Sequence, residues 1–512
     1  MSERHIAGQI GKGRFLATAW FGVALFFLGA AAMSFAGQES ADQLLARAFE
    51  VGKTIPNKFN KAEALTRIAD DYTRAGQYEQ AFAVIEAIEE PYHKAIALVR
   101  TSDQAWKNGQ RDQTEGMRRK ALETAESIEI PKWKATAYIA VAESYAGTDQ
   151  IDKANQTLTK ANEIVEGIED DQWKAGLCTE MGEAYLGYGR REEGLKLLGL
   201  AFEYAKTLED AYDTKASPGE DRISVLDRIA EEYMDAGEYV RAQEVRETIA
   251  EKYTKTAEKS RGVRIQLAAN KYEEALKTAE AMEDPHTKAH TLIQISIHAW
   301  FTGKKSLSLN TMDRAFEVGR AIEEPFVQAK ALYPVARAYA RGGYYGKAHE
   351  VVEAVKEKSV RELALSRLVG FYAEAGKYPD AQKTAESIED VYYRSVALDN
   401  MAAAYVRAGN KAMAADVTSK ALDTAQNIDN TYRKGEIYKR VSRRYAEAGQ
   451  YDQALVVAES IEDDYHKSTA LYWISYWAGA EGEYGRAGNI AEGISDPYYQ
   501  ASAFTCLAER RL

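Results

Sequence analysis

The sequence predicts an all-α protein, an α-solenoid of antiparallel helix pairs preceded by an N-terminal hydrophobic segment. Three observations predict it. One phrase recurs almost from end to end, with clear copies beginning at Tyr72, Tyr372 and Tyr445. Apolar residues within the copies follow a helical spacing, and only 9 prolines occur among 512 residues. A self-similar unit of about 20 to 50 residues indicates a repeat architecture in which each unit packs against its neighbours.

The repeat has two lengths. The residue that closes each unit, usually Ile before two acidic residues, recurs mostly at intervals of 33 or 40 residues, with a single interval of 41. Seven additional residues make about two helical turns and return a side chain to nearly the same face. The turn glycine lies 21 residues after the closing residue in both types, as in Ile55 to Gly76 and Ile88 to Gly109. The extension is therefore predicted in the second helix, and the 41-residue interval adds its residues near Ala211–Asp221.

Each unit carries the signals of a helix pair. In the first unit, apolar residues stand at positions 65, 68, 69 and 72, the stripe of an amphipathic helix. An acid before a proline, as at Glu90-Pro91, is typical of a helix start. Gly76, Gly376 and Gly449 are each expected to end a first helix with a positive φ, where glycine has no Cβ to clash.

The N-terminus has the features of an export segment. Arg4, Lys12 and Arg14 precede an uncharged run, Phe15–Phe35, and small residues stand at Ser34 and Ala36. Residues 1–36 are predicted to be either a signal peptide or a single membrane anchor, because the run is longer than most signal cores. Both alternatives place the rest of the chain across the inner membrane, in the periplasm or tethered to the membrane.

The net charge limits the classes of partner that the chain is expected to bind. The formal net charge is −12, which disfavours nucleic acid and anionic lipid as partners, so contact with a membrane is expected only through the N-terminal segment.

The sequence has two cysteines. Cys178 aligns with the core residue Leu65 and is expected to be packed, whereas Cys506 aligns with Arg67 and is expected to be exposed. No disulfide is expected between these two cysteines.

The units resemble tetratricopeptide repeats (TPR), because the first unit has the family's pattern at Leu65, Tyr72, Gly76, Tyr78 and Ala81. The resemblance covers residues 40–512, with about twelve helix pairs between a leading B helix over 41–54 and a closing A helix over 498–510. It implies a right-handed superhelix whose first (A) helices line a concave protein-binding groove. The 33-residue units, the extended second (B) helices and a degenerate unit after Ile249, with Lys259 and Gly262 at apolar positions, depart from the family's pattern.

No catalytic, cofactor or metal site is predicted. Gly52-Lys53-Thr54 resembles the end of a phosphate loop but lacks its first glycine and lies within a predicted helix. His286, His290 and His298 share a helix face, but a solvated surface explains them better than a metal site. The Lys/Asn set with which some TPR proteins bind chaperone tails is absent, so binding of such tails is not expected.

One register of the A helices predicts a partner-binding groove that changes charge along the chain. Acidic residues occupy it first, and basic and aromatic residues occupy it or the preceding turn later. The candidates are Asp70, Asp103, Glu143, Glu183, Glu231, Arg264, Tyr333, Arg337, Lys439, Arg443, Tyr472 and Tyr476. Arginine and aromatic residues are enriched in binding hot spots. The alternative is an ordinary solvated face.

The sequence thus predicts a non-enzymatic protein–protein interaction scaffold in an exported or envelope-associated assembly. The alternative is a recognition module for a peptide or glycan, accessory to envelope biogenesis or secretion. The partner's identity and the oligomeric state stay open.

Overall fold

A computed structural model describes residues 39–208, 222–252, 262–264, 266, 267 and 269–512. The predicted fold class is confirmed: the described residues form tandem antiparallel helix pairs, with no strand among them. The chain divides into two compact units, one spanning Leu45–Lys255 and the other joining Thr256–Arg511 with the described residues 39–44. These are called the N-terminal unit and the C-terminal unit below.

The described helices are numbered α1 to α25 along the chain. The A helices are α2 (Lys58–Arg74), α4 (Pro91–Lys107), α6 (Pro131–Ala146), α8 (Asp171–Gly187), α10 (Arg222–Asp235), α13 (Pro285–Phe301), α15 (Pro325–Arg341), α17 (Lys358–Glu374), α19 (Val391–Arg407), α21 (Thr431–Glu447), α23 (Asp464–Ala480) and α25 (Pro497–Glu509). The B helices are α1 (Ala41–Gly52), α3 (Tyr78–Glu86), α5 (Arg111–Glu126), α7 (Ile151–Glu166), α9 (Arg191–Thr207), α11 (Tyr239–Lys252), α12 (Tyr272–Glu280), α14 (Lys305–Arg320), α16 (Tyr345–Glu353), α18 (Tyr378–Ser387), α20 (Lys411–Ala425), α22 (Tyr451–Glu459) and α24 (Tyr484–Glu492).

The A helices start as the sequence predicts. Pro91 is in the first turn of α4, and the Glu90 carboxylate accepts a hydrogen bond from the backbone N–H of His93 at 2.9 Å. Asp284, Glu324 and Asp496 cap the proline-initiated helices α13, α15 and α25 in the same way. Each cap satisfies backbone donors that the first helical turn leaves unpaired.

The turn between the two helices of a unit requires a left-handed residue. Gly76, Gly376 and Gly449 have φ values of 75°, 72° and 80°, which confirms the prediction for all three. At two turns without a glycine, 21 residues after the closing residue, Asp149 and Asn270 take φ values of 64° and 58° instead. Asp and Asn tolerate this conformation better than other residues with a side chain. The geometry of the turn is thus retained where the glycine is not.

The extension lies in the B helices, as predicted. Most 33-residue units have nine-residue B helices such as α3, and α18 has ten residues, whereas α5 and α14 in 40-residue units have sixteen. The difference is two turns, so the buried stripe continues without rotating. Both repeat lengths can therefore pack against the same kind of neighbouring helix pair.

The core confirms one cysteine prediction and corrects the other. Cys178 is buried, as expected, and burial raises the pKa of its thiol to about 12. Cys506 is also buried, contrary to the expectation of exposure, and the Tyr472 hydroxyl on the neighbouring A helix lies 3.4 Å from its Sγ atom. The alignment of Cys506 with Arg67 could not predict that Tyr472 lies beside the thiol, because Tyr472 belongs to another unit. Neither cysteine forms a disulfide.

The phosphate-loop-like sequence has a packing explanation. Helix α1 ends at Gly52, so Lys53 and Thr54 lie in the following turn and not inside the helix as expected. A Cβ at Gly52 would lie 3.1 Å from the Leu65 side chain. Close packing between α1 and α2 therefore accounts for this glycine.

Several predictions fall outside the described residues. They are the export segment (residues 1–36), the inserted loop near Ala211–Asp221, and Lys259 of the degenerate unit. Among the helices that the structure does describe, none has the length and apolar content needed to cross a membrane.

Candidate functional site

Four consecutive A helices of the C-terminal unit, α15, α17, α19 and α21, line a groove of about 880 Å³. This volume falls within the range of about 300–1,000 Å³ that is usual for ligand pockets. Tyr333 and Arg337, two of the sequence-predicted candidates, lie on its wall. We call this feature the basic groove.

Small side chains open the basic groove. In the register that places Arg337 on α15 and Arg443 on α21, the two intervening A helices carry Gly370 and Ala403. Asn400 on α19 donates a hydrogen bond through Nδ2 to the backbone oxygen of Ser366 on α17 at 3.0 Å. This bond fixes the spacing of the two helices beneath the space that the small residues leave.

Seven arginines and two glutamates line the basic groove, so its charge is strongly positive. The arginines are Arg337, Arg341, Arg367, Arg407, Arg433, Arg440 and Arg444, and the glutamates are Glu374 and Glu436. Three arginines have carboxylate partners. Arg407 pairs with Glu374 at 2.6 Å, Arg440 lies 3.5 Å from Glu436, and Arg444 is 2.8 Å from the buried Asp399.

The other four arginines of the basic groove, Arg337, Arg341, Arg367 and Arg433, are exposed and form no ion pair within the described part of the chain. An arginine presents a planar set of donors that matches a carboxylate or phosphate in a bidentate way. These four side chains can therefore bind anionic groups without first breaking an existing salt bridge.

Aromatic rings line the same groove: Tyr333, Phe371, Tyr392, Tyr393 and Tyr432. The Arg367 guanidinium lies 5.9 Å from the Tyr333 ring centre, and that of Arg433 lies 5.1 Å from the Tyr392 ring centre. Such contacts hold the cations in place while their N–H groups stay available. Tyr392 donates its hydroxyl hydrogen to Glu436 at 2.7 Å, and burial together with this bond raises its pKa to about 12.

The later candidates contact aromatic side chains outside the groove. Arg443 pairs with Glu447 at 2.8 Å and covers the Trp473 ring at 4.3 Å, so its charge is already engaged. The Lys439 ammonium lies 5.9 Å from the Tyr465 ring. Tyr472 and Tyr476 pack edge-on against Trp473, with centroids 5.3 and 5.5 Å apart. None of these four candidates is among the residues that line the basic groove.

The acidic candidates lie on A helices of the N-terminal unit, and two of them are neutralised locally. Asp70 pairs with Arg100 at 2.6 Å. Asp103 lies 3.5 Å from the buried Arg118 and accepts a hydrogen bond from Ser144. Their charge is therefore less available to a partner than the sequence register suggests.

The remaining acids keep more of their charge exposed. Glu143, Glu183 and Glu231 are exposed, and Arg228 is 3.6 Å from Glu183. Although the Glu143 side chain reaches solvent, partial burial of its carboxyl group raises its pKa. The nearby carboxylates of Glu180, Glu183 and Asp103 raise this pKa further, and Arg228 opposes the shift. Arg264, the first basic candidate, is exposed within the C-terminal unit.

The histidine face has ordinary side-chain partners. His298 lies 2.7 Å from the Tyr272 hydroxyl, and His290 lies 3.2 Å from the Gln294 side chain. Within the described ranges, no three His, Cys, Asp or Glu side chains are grouped so that they could hold a metal ion.

Sequence reasoning found Tyr333 and Arg337 but missed most of the basic groove. Four of the missed arginines lie one turn before or after the chosen register: Arg341, Arg367, Arg407 and Arg440. Arg444 directly follows the register residue Arg443, and Arg433 lies in the first turn of α21. The missed tyrosines lie in the first turns of α19 and α21. The signal for these four arginines was present in the sequence, since moving the register by one turn brings them out. The residues in the first turns of α19 and α21 lie about three turns from the register, and that shift does not reach them. What the sequence did not show is which arginines already have a carboxylate partner.

Comparison with known proteins adds little. No family model and no curated protein matches this sequence. Among solved structures, Ton1535 from Thermococcus onnurineus NA1 is 15% identical, with a TM-score of 0.28, covering 86% of this chain and 97% of its own. Yeast Tom70 is 12% identical (TM-score 0.27; 88% of this chain and 96% of its own), as is a Rap protein complexed with Competence and Sporulation Factor (TM-score 0.25; 74% and 99%). At these values the similarities decide nothing about function, and the fold rests on this chain's own helix pairs.

Proposed function

We propose that this protein is a non-enzymatic interaction scaffold whose basic groove binds an acidic segment of a partner protein. The observation that carries the proposal is the set of four arginines that form no ion pair among the described residues, in one groove that aromatic rings also line. Complementary charge speeds the encounter and sets the orientation of a bound segment, while aromatic side chains contribute much of the affinity.

The acidic A-helix face of the N-terminal unit supports a second contact. Glu143, Glu183 and Glu231 would attract a basic segment, as the register in the sequence predicts. A partner with both kinds of segment would then bind in one polarity, its acidic part on the C-terminal unit and its basic part on the N-terminal unit.

Charge reversal in the basic groove tests the proposal. The variant Arg337→Glu/Arg367→Glu changes two exposed, unpaired groove arginines and should lose its natural partner without unfolding. Lys383→Glu on α18 is the matched control, because Lys383 is exposed but lies outside the groove. Co-purification from the native host, quantified by mass spectrometry, should show loss of the same acidic-segment protein only in the groove variant. Retention of every partner by the groove variant would refute the proposal.

We also propose that residues 1–36 carry the scaffold across the inner membrane, where it works in an envelope-associated assembly. The charge pattern around Phe15–Phe35 supports this. A reporter that is active only after export, fused at the C-terminus, should be active with the full chain and inactive without residues 1–36. Native protein found in the cytosol with residues 1–36 intact would contradict the proposal.

A further inference from the structure

Gly370 lies in the interior of α17, where glycine is unfavourable. A glycine in a helix interior costs roughly 1 kcal/mol relative to alanine, because it loses more backbone freedom on folding. Some helical glycines of this chain are required by packing. A Cβ at Gly194 would lie 2.7 Å from the Leu186 side chain, and one at Gly479 would lie 2.5 Å from the Leu507 side chain.

Gly370 is different, because a Cβ would fit. The nearest atoms to that position are Cβ and Cγ of Asn400, at 3.5 and 4.0 Å, which is ordinary van der Waals contact. Its φ is not in the left-handed region either. Neither packing nor backbone conformation therefore explains the glycine.

The position of Gly370 in the basic groove suggests what it does. It lines the groove together with Ala403, and the apolar side chains of Leu363, Phe371 and Val396 line the same space. A larger residue at position 370 would occupy that space. The small residue thus keeps open a recess in the groove wall, lined by these apolar side chains and by Asn400, among the arginines and tyrosines that line the rest of the groove.

We propose that this recess receives one large apolar or aromatic side chain of an acidic protein segment. The neighbouring acidic residues of that segment would pair with Arg337, Arg367 and Arg433, whose guanidinium groups have no carboxylate partner among the described residues. An apolar recess favours a peptide over an anionic saccharide, which has no comparable side chain to bury. The inference rests on the proposed function and adds the recognition element of the segment.

Defined probes test the inference. The first is a fluorescent nonapeptide of alternating Asp and Glu with a central Trp; the second has Ala for Trp, and the third has Lys for each acid. Fluorescence anisotropy with the full-length protein should rank them in that order, with the Trp peptide binding at least about tenfold more tightly than the Ala peptide, as for a hot-spot side chain.

Substitutions at Gly370 then locate the recess. Gly370→Met should weaken the Trp peptide about tenfold and the Ala peptide little, whereas Gly370→Ala should raise the melting temperature with a smaller effect on binding. Gly346→Met is the matched control, because Gly346 is a helical glycine of α16 with open space around it and lies outside the groove. It should bind the Trp peptide as the wild type does.

The outcomes separate the two proposals. Failure of the wild type to prefer acidic over basic peptides contradicts the proposed function. A wild type that binds the Trp and Ala peptides equally, or a folded Gly370→Met that binds the Trp peptide normally, overturns the recess alone. Competition by oligogalacturonate as effective as that by the Trp peptide would overturn the choice of a peptide.

Discussion

Arg444 donates a hydrogen bond from Nε to Oδ1 of Asp399 at 2.8 Å, and this bond joins α21 to α19 beneath the basic groove. The two side chains are only 15% and 3% exposed. A buried pair of this kind contributes little net stability, but loss of one partner leaves a charge without compensation. The pair therefore fixes the spacing of two A helices that line the groove.

Asp399→Asn should destabilise the C-terminal unit by roughly 1–3 kcal/mol, because Arg444 would lose one of its two buried carboxylate partners and keep only Glu447. Urea unfolding measures the change. The matched control is Asp416→Asn on α20, which removes an exposed carboxylate paired with Lys420 at 2.9 Å and should cost less than about 1 kcal/mol. Equal effects of the two substitutions would show that the buried pair has no special role.

Replacing glycine by alanine should have opposite effects on stability in a turn and in a helix. Gly376→Ala should destabilise by about 1 kcal/mol, since alanine in the left-handed region brings its Cβ close to a backbone carbonyl. Gly346→Ala within α16 should instead stabilise by up to about 1 kcal/mol, because alanine is the better helix former. Thermal unfolding of the two variants checks the signs, and a shift in the same direction for both would contradict the assigned geometry.

The repeat and its turns could be predicted from sequence because they depend on local physics. The interval from Ile55 to Gly76 sets the position of the turn, and the same interval locates Asp149 and Asn270 where glycine is missing. The site could be predicted only in part. Arg337 and Arg443 are equivalent in sequence, yet Arg337 is unpaired whereas Arg443 is held by Glu447 and Trp473. That difference depends on Glu447 of the same helix and on Trp473 of the next unit. An alignment of one position per A helix does not include such neighbours.

The carboxyl group of Glu180 in the N-terminal unit should make stability depend on pH. Burial raises the pKa of Glu180, whereas Arg228, 3.5 Å away, opposes the shift. A carboxyl whose pKa is raised on folding is protonated more readily in the folded state, so its contribution to stability falls as pH rises above its unfolded pKa of about 4.3.

Glu180→Gln removes this contribution, so the stability of the variant relative to wild type should be greater at pH 8 than at pH 5, by at most about 1 kcal/mol in the free energy of unfolding. Urea titrations at the two pH values measure the difference. Glu163→Gln, an exposed change on α7, is the control and should show no such dependence. A difference for Glu180→Gln that does not vary with pH would contradict the assignment.

The two thiols should be unreactive in the folded protein. Burial raises the pKa of Cys178, and Cys506 is covered beside Tyr472, so neither presents an accessible thiolate. Labelling with Ellman's reagent should give no rapid phase in buffer and two thiols in denaturant. Rapid labelling that Cys506→Ser abolishes would restore the sequence-based expectation that Cys506 is exposed.

Photo-crosslinking from inside the groove tests the central claim most directly. A benzoylphenylalanine placed at Phe371, which lines the basic groove, should capture in the native host one protein segment rich in Asp and Glu, and Arg337→Glu/Arg367→Glu should abolish the adduct. The same probe at the exposed Lys383 on α18 should not capture that segment. Adducts that are alike from both positions, that lack acidic residues, or that survive the double reversal would contradict the account.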